Sequence, residues 1–270
     1  LAMYLGFLAA MLTAWMVDAF DVLFASNSEP IGVLVAATII YVVGFVDDIR
    51  GLSPPAKVAG TVAAGIALVQ FGVVMYAFRL PFFDGPILLA VGWRPLVTVL
   101  WLLGMTQAIN LIDGLDGLAG GVVFFAGVTN FTVAAFISYE LFTAVILAAM
   151  LGAVLAFLFY NSNPARIFMG DSGSYFLGFI LATTSLSGGA PKTSTAVALL
   201  VPVLALGVPI IDTLFAMIRR VLQHRPIFSP DRGHIHHRLL DLGLTQHRAV
   251  LLIYGASIVF TIVAIGTSLN

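Results

Sequence analysis

Cysteine is absent from this chain, and charge is scarce. The first absence removes disulfides, thiolate metal sites and cysteine nucleophiles, and says nothing about compartment. The second absence is more restrictive. Lys, Arg, Asp and Glu make up 9% of the 270 residues, while AVILMFWYC residues make up 60%. An ordinary soluble domain carries about 25% charged and roughly 45–50% apolar residues. Twelve cations and thirteen anions cannot clothe a water-facing surface of this size. The remaining solvent is lipid. The net charge of −1 carries no information about partners, but the placement of the charges does.

A membrane span takes about 20 mostly apolar residues, so a chain of this length holds on the order of nine spans with short connections. Apolar runs and their polar breaks place them at 1–17, 31–46, 58–78, 95–110, 118–138, 141–160, 173–187, 195–218 and 249–268. The expectation is an all-α, polytopic integral membrane protein with residues 1–270 as one transmembrane domain and no soluble insert. The chain begins at Leu1 without a charged n-region or a small-residue cleavage site, so the first segment reads as a span, not a signal peptide. A segment missing before Leu1, and another after Asn270, are expected.

Alternation of sides sorts the connections into two sets. One holds 47–57, 111–117, 161–172 and 219–248, with Arg50, Lys57, Arg166, Arg219, Arg220, Arg225, Arg232, Arg238 and Arg248. The other holds 18–30, 79–94, 139–140 and 188–194, with Arg79, Arg94 and Lys192. Nine cations against three assign the first set to the cytoplasm. Asp47, Asp48, Asp113, Asp116, Asp171, Asp231, Asp241 and all five His fall on that same side. Four connections thus deliver carboxylates and imidazoles to one membrane face.

The first motif is VDDIRGLSPPAK at 46–57. Neighbours on a helix point about 100° apart, so Asp47 and Asp48 have different tasks. Paired carboxylates hold Mg²⁺ or accept a proton; the bland reading is a solvated helix end. Acids at a helix C-terminus oppose the macrodipole, which weighs against the bland reading. The second motif is NLIDGLDGLAGG at 110–121. Asn110, Asp113 and Asp116 have the spacing of one helical face, and four glycines let a ligand or backbone come close. It matches no calcium loop, Walker loop or dinucleotide fingerprint. Its alternative is a packing turn with solvated acids.

The third motif is NSNPARIFMGDSGS at 161–174. Pro164 and Gly170 break the helix on either side of a stub, and a new span begins near Gly173. Two readings stand for Asp171: an N-cap, or a member of a shared metal and phosphate site. The fourth motif is HRPIFSPDRGHIHHR at 224–238, with four His, three Arg and one Asp. That density suits an anion, with Arg forking onto phosphate and His sharing protons. A zinc site and a strip resting on anionic headgroups are the alternatives. Asp212 lies inside a span, where it is either functional or paired with a neighbouring helix.

Carboxylates with an Asn suggest a hard divalent cation, Mg²⁺ or Mn²⁺. Basic residues and His suggest phosphate, and the scaffold suggests a lipid substrate. Phosphoryl transfer between a soluble phosphate ester and a lipid phosphate satisfies all three. The competing reading is a transporter with a cytoplasmic acidic vestibule. Transporters place ionisable sites near mid-membrane, often in repeated halves, and no repeat is visible here.

In their order and spacing, VDDIRGLSPPAK, NLIDGLDGLAGG, PARIFMGDSGS and PDRGHIHHR resemble the polyprenyl-phosphate N-acetylhexosamine-1-phosphate transferase superfamily. HIHHR is similar to its WecA/TagO-like branch; the branch acting on UDP-MurNAc-pentapeptide usually shows a triple His. The resemblance implies transfer of a sugar-1-phosphate, most simply GlcNAc-1-phosphate, from a UDP-N-acetylhexosamine to polyprenyl phosphate. UMP is released, and the product initiates a cell-envelope glycan. It implies Mg²⁺, with Mn²⁺ as substitute, held by Asp171 with Asn110 as second ligand. Asp113, Asp116, Asn161 and Phe168 become nucleotide-site residues, Phe168 by stacking on uracil. Asp47 resembles the general base, with Asp48 beside it. His234, His236, His237, Arg225 and Arg232 meet the diphosphate and sugar.

The implied setting is the plasma membrane with the site facing the cytoplasm and one further span before Leu1. A homodimer is admitted, and no nucleic-acid partner is expected. The base role has a chemical limit. A phosphate monoester is mostly dianionic at pH 7 because its second pKa is about 6, so a base gains little unless the site raises that value. Orienting the lipid phosphate through Mg²⁺, or a covalent carboxylate intermediate, remain open for Asp47.

Overall fold

The computed structural model of the protein describes residues 1–25, 28–78, 87–186, 207–222 and 235–268. Its elements are α1 (Ala2–Trp15), α2 (Asp21–Ala25), α3 (Glu29–Arg50), α4 (Pro54–Gln70), β1 (Ala77–Phe78), β2 (Ile87–Leu88), α5 (Arg94–Ile112), α6 (Leu118–Thr132), α7 (Leu141–Asn161), α8 (Gly170–Thr184), α9 (Gly207–Leu222), α10 (Ile235–Asp241) and α11 (Gln246–Ser268). A π-helical turn, Val133–Ile137, extends α6. The described fold is helical apart from the two-residue antiparallel strands β1 and β2.

Among the described residues five segments are long and apolar enough to cross a membrane: Glu29–Arg50, Val91–Ile112, Leu118–Ile137, Leu141–Asn161 and Gln246–Gly266. Their outer faces carry the apolar surface that lipid covers. On α3, Ile31, Val35, Val42, Phe45 and Ile49 are exposed, and on α11 Leu251, Leu252, Ile258, Val259, Ile262 and Val263. Contiguous patches of this kind are not stable against water.

The shorter helices are short for identifiable reasons. α8 has 15 residues, and every side chain from Ser172 to Thr184 is buried. It is the centre of the bundle, flanked by α3 and α5 and closed in by α6, α7 and α1. A helix buried all round faces protein, so it does not need full bilayer length. Phe176 receives the edges of Tyr4 and Phe7 from α1 at 5.6 and 5.3 Å between ring centroids.

α4 departs from the expected span 58–78. It stops at Gln70, and the Ser28 hydroxyl donates to the Phe71 carbonyl at 3.2 Å, tying this end to the start of α3. The apolar run then continues in extended form. Met75 N–H donates to Thr98 Oγ1 at 2.8 Å, and Ala77 and Phe78 pair with Leu88 and Ile87. Apolarity alone does not distinguish a buried helix from a strand. Of the expected span 195–218, residues 207–218 are helical within α9, and residues 195–206 lie outside the described residues.

Candidate active site

The carboxylate pair ends α3 beside the start of α8. Gly44 makes that approach feasible, because a Cβ there would lie 2.5 Å from the Asp171 carbonyl oxygen. One turn later, Asp48 reaches the open N-terminus of α8. Its Oδ1 accepts the Asp171 N–H at 2.7 Å and its Oδ2 accepts the Ser172 N–H at 3.0 Å. A helix leaves its first amide protons without internal partners, and here a carboxylate from another helix satisfies two of them. Gly170 adopts φ +66°, and a Cβ at this position would meet the Asp48 oxygens at 2.8 Å. Glycine is therefore required at both ends of the contact.

Capping by Asp48 removes the N-cap reading of Asp171. The Asp171 side chain is not the cap and is left to face the centre. Its Oδ1 accepts from Asn110 Nδ2 at 2.9 Å and its Oδ2 accepts from Lys57 Nζ at 2.9 Å. The same Lys57 ammonium pairs with Asp47 Oδ2, while Asp47 Oδ1 accepts the Leu52 N–H at 2.6 Å. Lys57 thus bridges two carboxylates, one on α3 and one on α8. Asn110 also donates to Ser174 Oγ at 3.0 Å, which fixes its amide between two turns of α8.

Residues 113–117 do not continue a helix as the spacing predicts. α5 ends at Ile112, Asp113 caps it, and Gly117 starts α6 from a left-handed conformation. Asn110, Asp113 and Asp116 therefore share no helical face. Asp113 is half-buried, and its carboxyl is pushed up to about 7, first by burial and then by the charges of Asp171 and Asp48. Asp116 points toward the segment leading to α8, where Oδ2 accepts from Asn163 Nδ2 at 3.0 Å and from the Ala165 N–H at 3.1 Å. Asn161 is buried. Its Oδ1 accepts the Gly117 N–H at 3.0 Å, and its Nδ2 donates to the Ile167 carbonyl at 2.9 Å. Both atoms of this amide are spent on holding the two loops together. Phe168 is 78% exposed on the same segment, its ring free of intramolecular cover.

Three sequence motifs far apart in the chain are thus one hydrogen-bonded unit. Lys57 is the member that sequence reasoning left without a role. It closes the first motif, nine residues after Asp48 and beyond Arg50. Arg225, Arg232 and His234 lie outside the described residues. His236 and His237 belong to α10, and Asp212 to α9, but their side chains lie outside the described residues as well.

The donors fit a hard cation. They are the carboxylates of Asp171 and Asp113 and the Asn110 amide, with the Asp113 carboxyl pushed up first by burial and then by the charges of Asp171 and Asp48. Among the described residues no group of three acidic or imidazole side chains could enclose a metal ion.

Among the described residues the carboxylates of the central site lie at helix ends, which suits a membrane-embedded transferase acting at one face better than a carrier. Residues 30–189 match the profile of glycosyl transferase family 4, and the chain belongs to that family. It is 40% identical to the probable undecaprenyl-phosphate N-acetylglucosaminyl 1-phosphate transferase of Bacillus subtilis, over 98% of this chain and 71% of that protein. It is 39% identical to the decaprenyl-phosphate N-acetylglucosaminephosphotransferase of Mycobacterium leprae, over 94% of this chain and 68% of that protein. Identity to the phospho-N-acetylmuramoyl-pentapeptide-transferase of Desulforamulus reducens is 33%, over 86% and 72% respectively.

Proposed function

We propose that the protein transfers N-acetylglucosamine-1-phosphate from UDP-N-acetylglucosamine to a polyprenyl phosphate and releases UMP. The reaction requires Mg²⁺, for which Mn²⁺ substitutes, and takes place at the cytoplasmic face of the plasma membrane. The excess of Lys and Arg in the connections that carry the site supports this orientation, with about nine crossings. The choice of sugar is supported by the higher identity to relatives named for N-acetylglucosamine than to the one named for N-acetylmuramoyl-pentapeptide.

The observation that carries the reading is the double engagement of Asp171. Asp48 fixes its backbone, while Lys57 and Asn110 fix its two side-chain oxygens. Asp171 and Asn110 hold the cation, with Asp113 beside them. A Mg²⁺ held there would supply the charge that neutralises the diphosphate and the leaving phosphate. An oxygen of the lipid phosphate attacks the phosphorus bonded to the sugar. The bond from that phosphorus to the bridging oxygen breaks, and UMP departs with its electrons.

The side chains divide this work. Lys57 has three N–H donors; two hold Asp47 and Asp171, and the third reaches phosphate. Asp47 holds Lys57 in place, and a proton-accepting role for it begins only when Lys57 lets go. Phe168 offers an exposed face to uracil. Asp116 and Asn161 hold the loops that frame the nucleotide. His234, His236, His237, Arg225 and Arg232 contact the diphosphate and sugar.

The test is radiolabel transfer. Membranes or detergent micelles with the protein, labelled UDP-N-acetylglucosamine, Mg²⁺ and polyprenyl phosphate yield a butanol-extractable lipid and one UMP per lipid. Solute or ion flux into vesicles without any lipid product sinks the reading.

A further inference from the structure

The last helix of the chain reaches the nucleotide side of the site through one hydroxyl. Tyr254, on α11, donates its Oη–H to the Gly117 carbonyl at 2.5 Å, across 137 residues of sequence. That carbonyl is also the first acceptor of α6, taking the Gly121 N–H at 2.9 Å. The other side of Gly117 is held as well, because its N–H donates to Asn161 Oδ1. A carbonyl oxygen has two lone pairs, and here both are used.

The ring is seated as closely as the hydroxyl. A Cβ at Gly121 would lie 2.0 Å from Tyr254 Oη and Cζ, so only glycine leaves room for the phenol against α6. The edge of Phe125 packs on the same ring at 5.5 Å between centroids. Tyr254 is therefore locked in one position relative to α6, and its hydroxyl has one place to go.

Between the two helices the chain is held by short turn bonds, Gly114 N–H to the Ile112 carbonyl at 2.8 Å and Leu118 N–H to the Leu115 carbonyl at 3.0 Å, and this turn carries Asp113 and Asp116. Asp113 is held at the end of α5 and Gly117 at the start of α6. A shift of Gly117 moves both acids relative to Asp171. We infer that Tyr254 is a positioning residue for the donor site: through Gly117 it sets the Asp113–Asp116 turn that receives the nucleotide-sugar. The acceptor lipid takes no part in this contact. The inference rests on the proposed transferase function and adds a residue beyond the 30–189 match. Because α10 packs on α11, the same helix connects this turn to the segment bearing His236 and His237.

The experiment compares the full-length protein with Tyr254→Phe and with Thr261→Val. The second removes another α6–α11 hydrogen bond, Thr129 Oγ1 to Thr261 Oγ1 at 3.0 Å, away from the turn. Tyr254→Phe keeps the ring on Gly121 and loses only the hydroxyl. It should raise the KM for UDP-N-acetylglucosamine by about fivefold to tenfold, the worth of one hydrogen bond, and leave the KM for polyprenyl phosphate unchanged. Thr261→Val should leave both constants unchanged. Equal changes in the two variants, or in the two substrates, overturn the inference. Amide exchange at Gly117 and Gly121 is read independently of catalysis. It should accelerate in Tyr254→Phe alone, and unaltered exchange also overturns the inference. A wild-type protein that transfers nothing overturns the transferase reading instead, and leaves the exchange result to decide the role of Tyr254.

Discussion

Asp48 accepts the backbone N–H of Asp171 at 2.7 Å across 123 residues of chain, so the residue that aims the central carboxylate lies on a different helix from it. A cap and a base respond differently to substitution. Asp48→Ala removes both acceptors from the N-terminus of α8 and should lower stability by about 1 kcal/mol, with a matching fall in transfer. Asp48→Asn retains one acceptor oxygen and should fall between Ala and wild type in both measures. Asp171→Asn, by contrast, should abolish transfer with unfolding temperature unchanged. Thermal unfolding in detergent beside initial rates checks the series. Asn and Ala variants at 48 that are equally inactive at wild-type stability would make Asp48 a chemical participant and not a cap.

Lys57 stands where a divalent cation would be attracted. Its ammonium lies between Asp47 and Asp171, whose side chains are 4% and 31% exposed. Lys57→Met leaves the buried Asp47 without a counter-charge. The expected cost is about 2 kcal/mol, between the values for exposed and buried pairs. The same change removes a competitor for Asp171, so Mn²⁺ should bind roughly threefold to tenfold tighter while transfer slows. Mn²⁺ titration followed by electron paramagnetic resonance measures this. Weaker Mn²⁺ binding in Lys57→Met would show that the ammonium assists the cation instead of competing with it.

Asp113 gives the site a pH signature. Its carboxyl is pushed up to about 7, chiefly by burial and further by Asp171 and Asp48. The folded state thus favours the protonated form. This contribution to stability is fully present below the ordinary Asp value, about 4, and is lost as pH rises through 7. Asp113→Asn cannot ionise and escapes the loss. Without divalent cation, the variant should therefore become progressively more stable than wild type between about pH 5 and pH 8, while transferring more slowly. Unfolding temperatures in chelator across that range decide the matter; a difference that does not vary with pH would contradict it.

The sequence made the bundle and the convergence legible for one physical reason. Apolar runs must lie in lipid, and charges excluded from lipid must collect at its faces, so the VDD, NLIDGLDG and GDSG segments were confined to few places before any packing was known. Helix breaks at Pro164 and Gly170 were readable from backbone sterics. What was not legible depends on pairwise contacts. Asp48 capping α8 in place of Asp171 needs two helices at a known distance, and that distance depends on Gly44. The turn at 113–117 reads as helix from the spacing of its acids, because nothing in that spacing reports Tyr254 and Asn161 holding Gly117. The extended stretch after Phe71 is as apolar as a span, so its composition reads as one.

Phe168 supplies the sharpest separation between the two substrates. It is 78% exposed beside the start of α8, so removing the ring costs little core packing and the fold should be unaffected. Stacking of an aromatic side chain on a base is worth about 1–3 kcal/mol. Phe168→Ala should therefore raise the KM for UDP-N-acetylglucosamine by about tenfold, and Phe168→Trp should restore most of it. The KM for polyprenyl phosphate should stay within error of wild type, since a lipid phosphate has no base to stack. Steady-state kinetics with each substrate varied in turn separates the cases. If both constants rise together, the exposed ring is seated in the membrane and serves the lipid, and uracil stacking is lost as an explanation for its exposure.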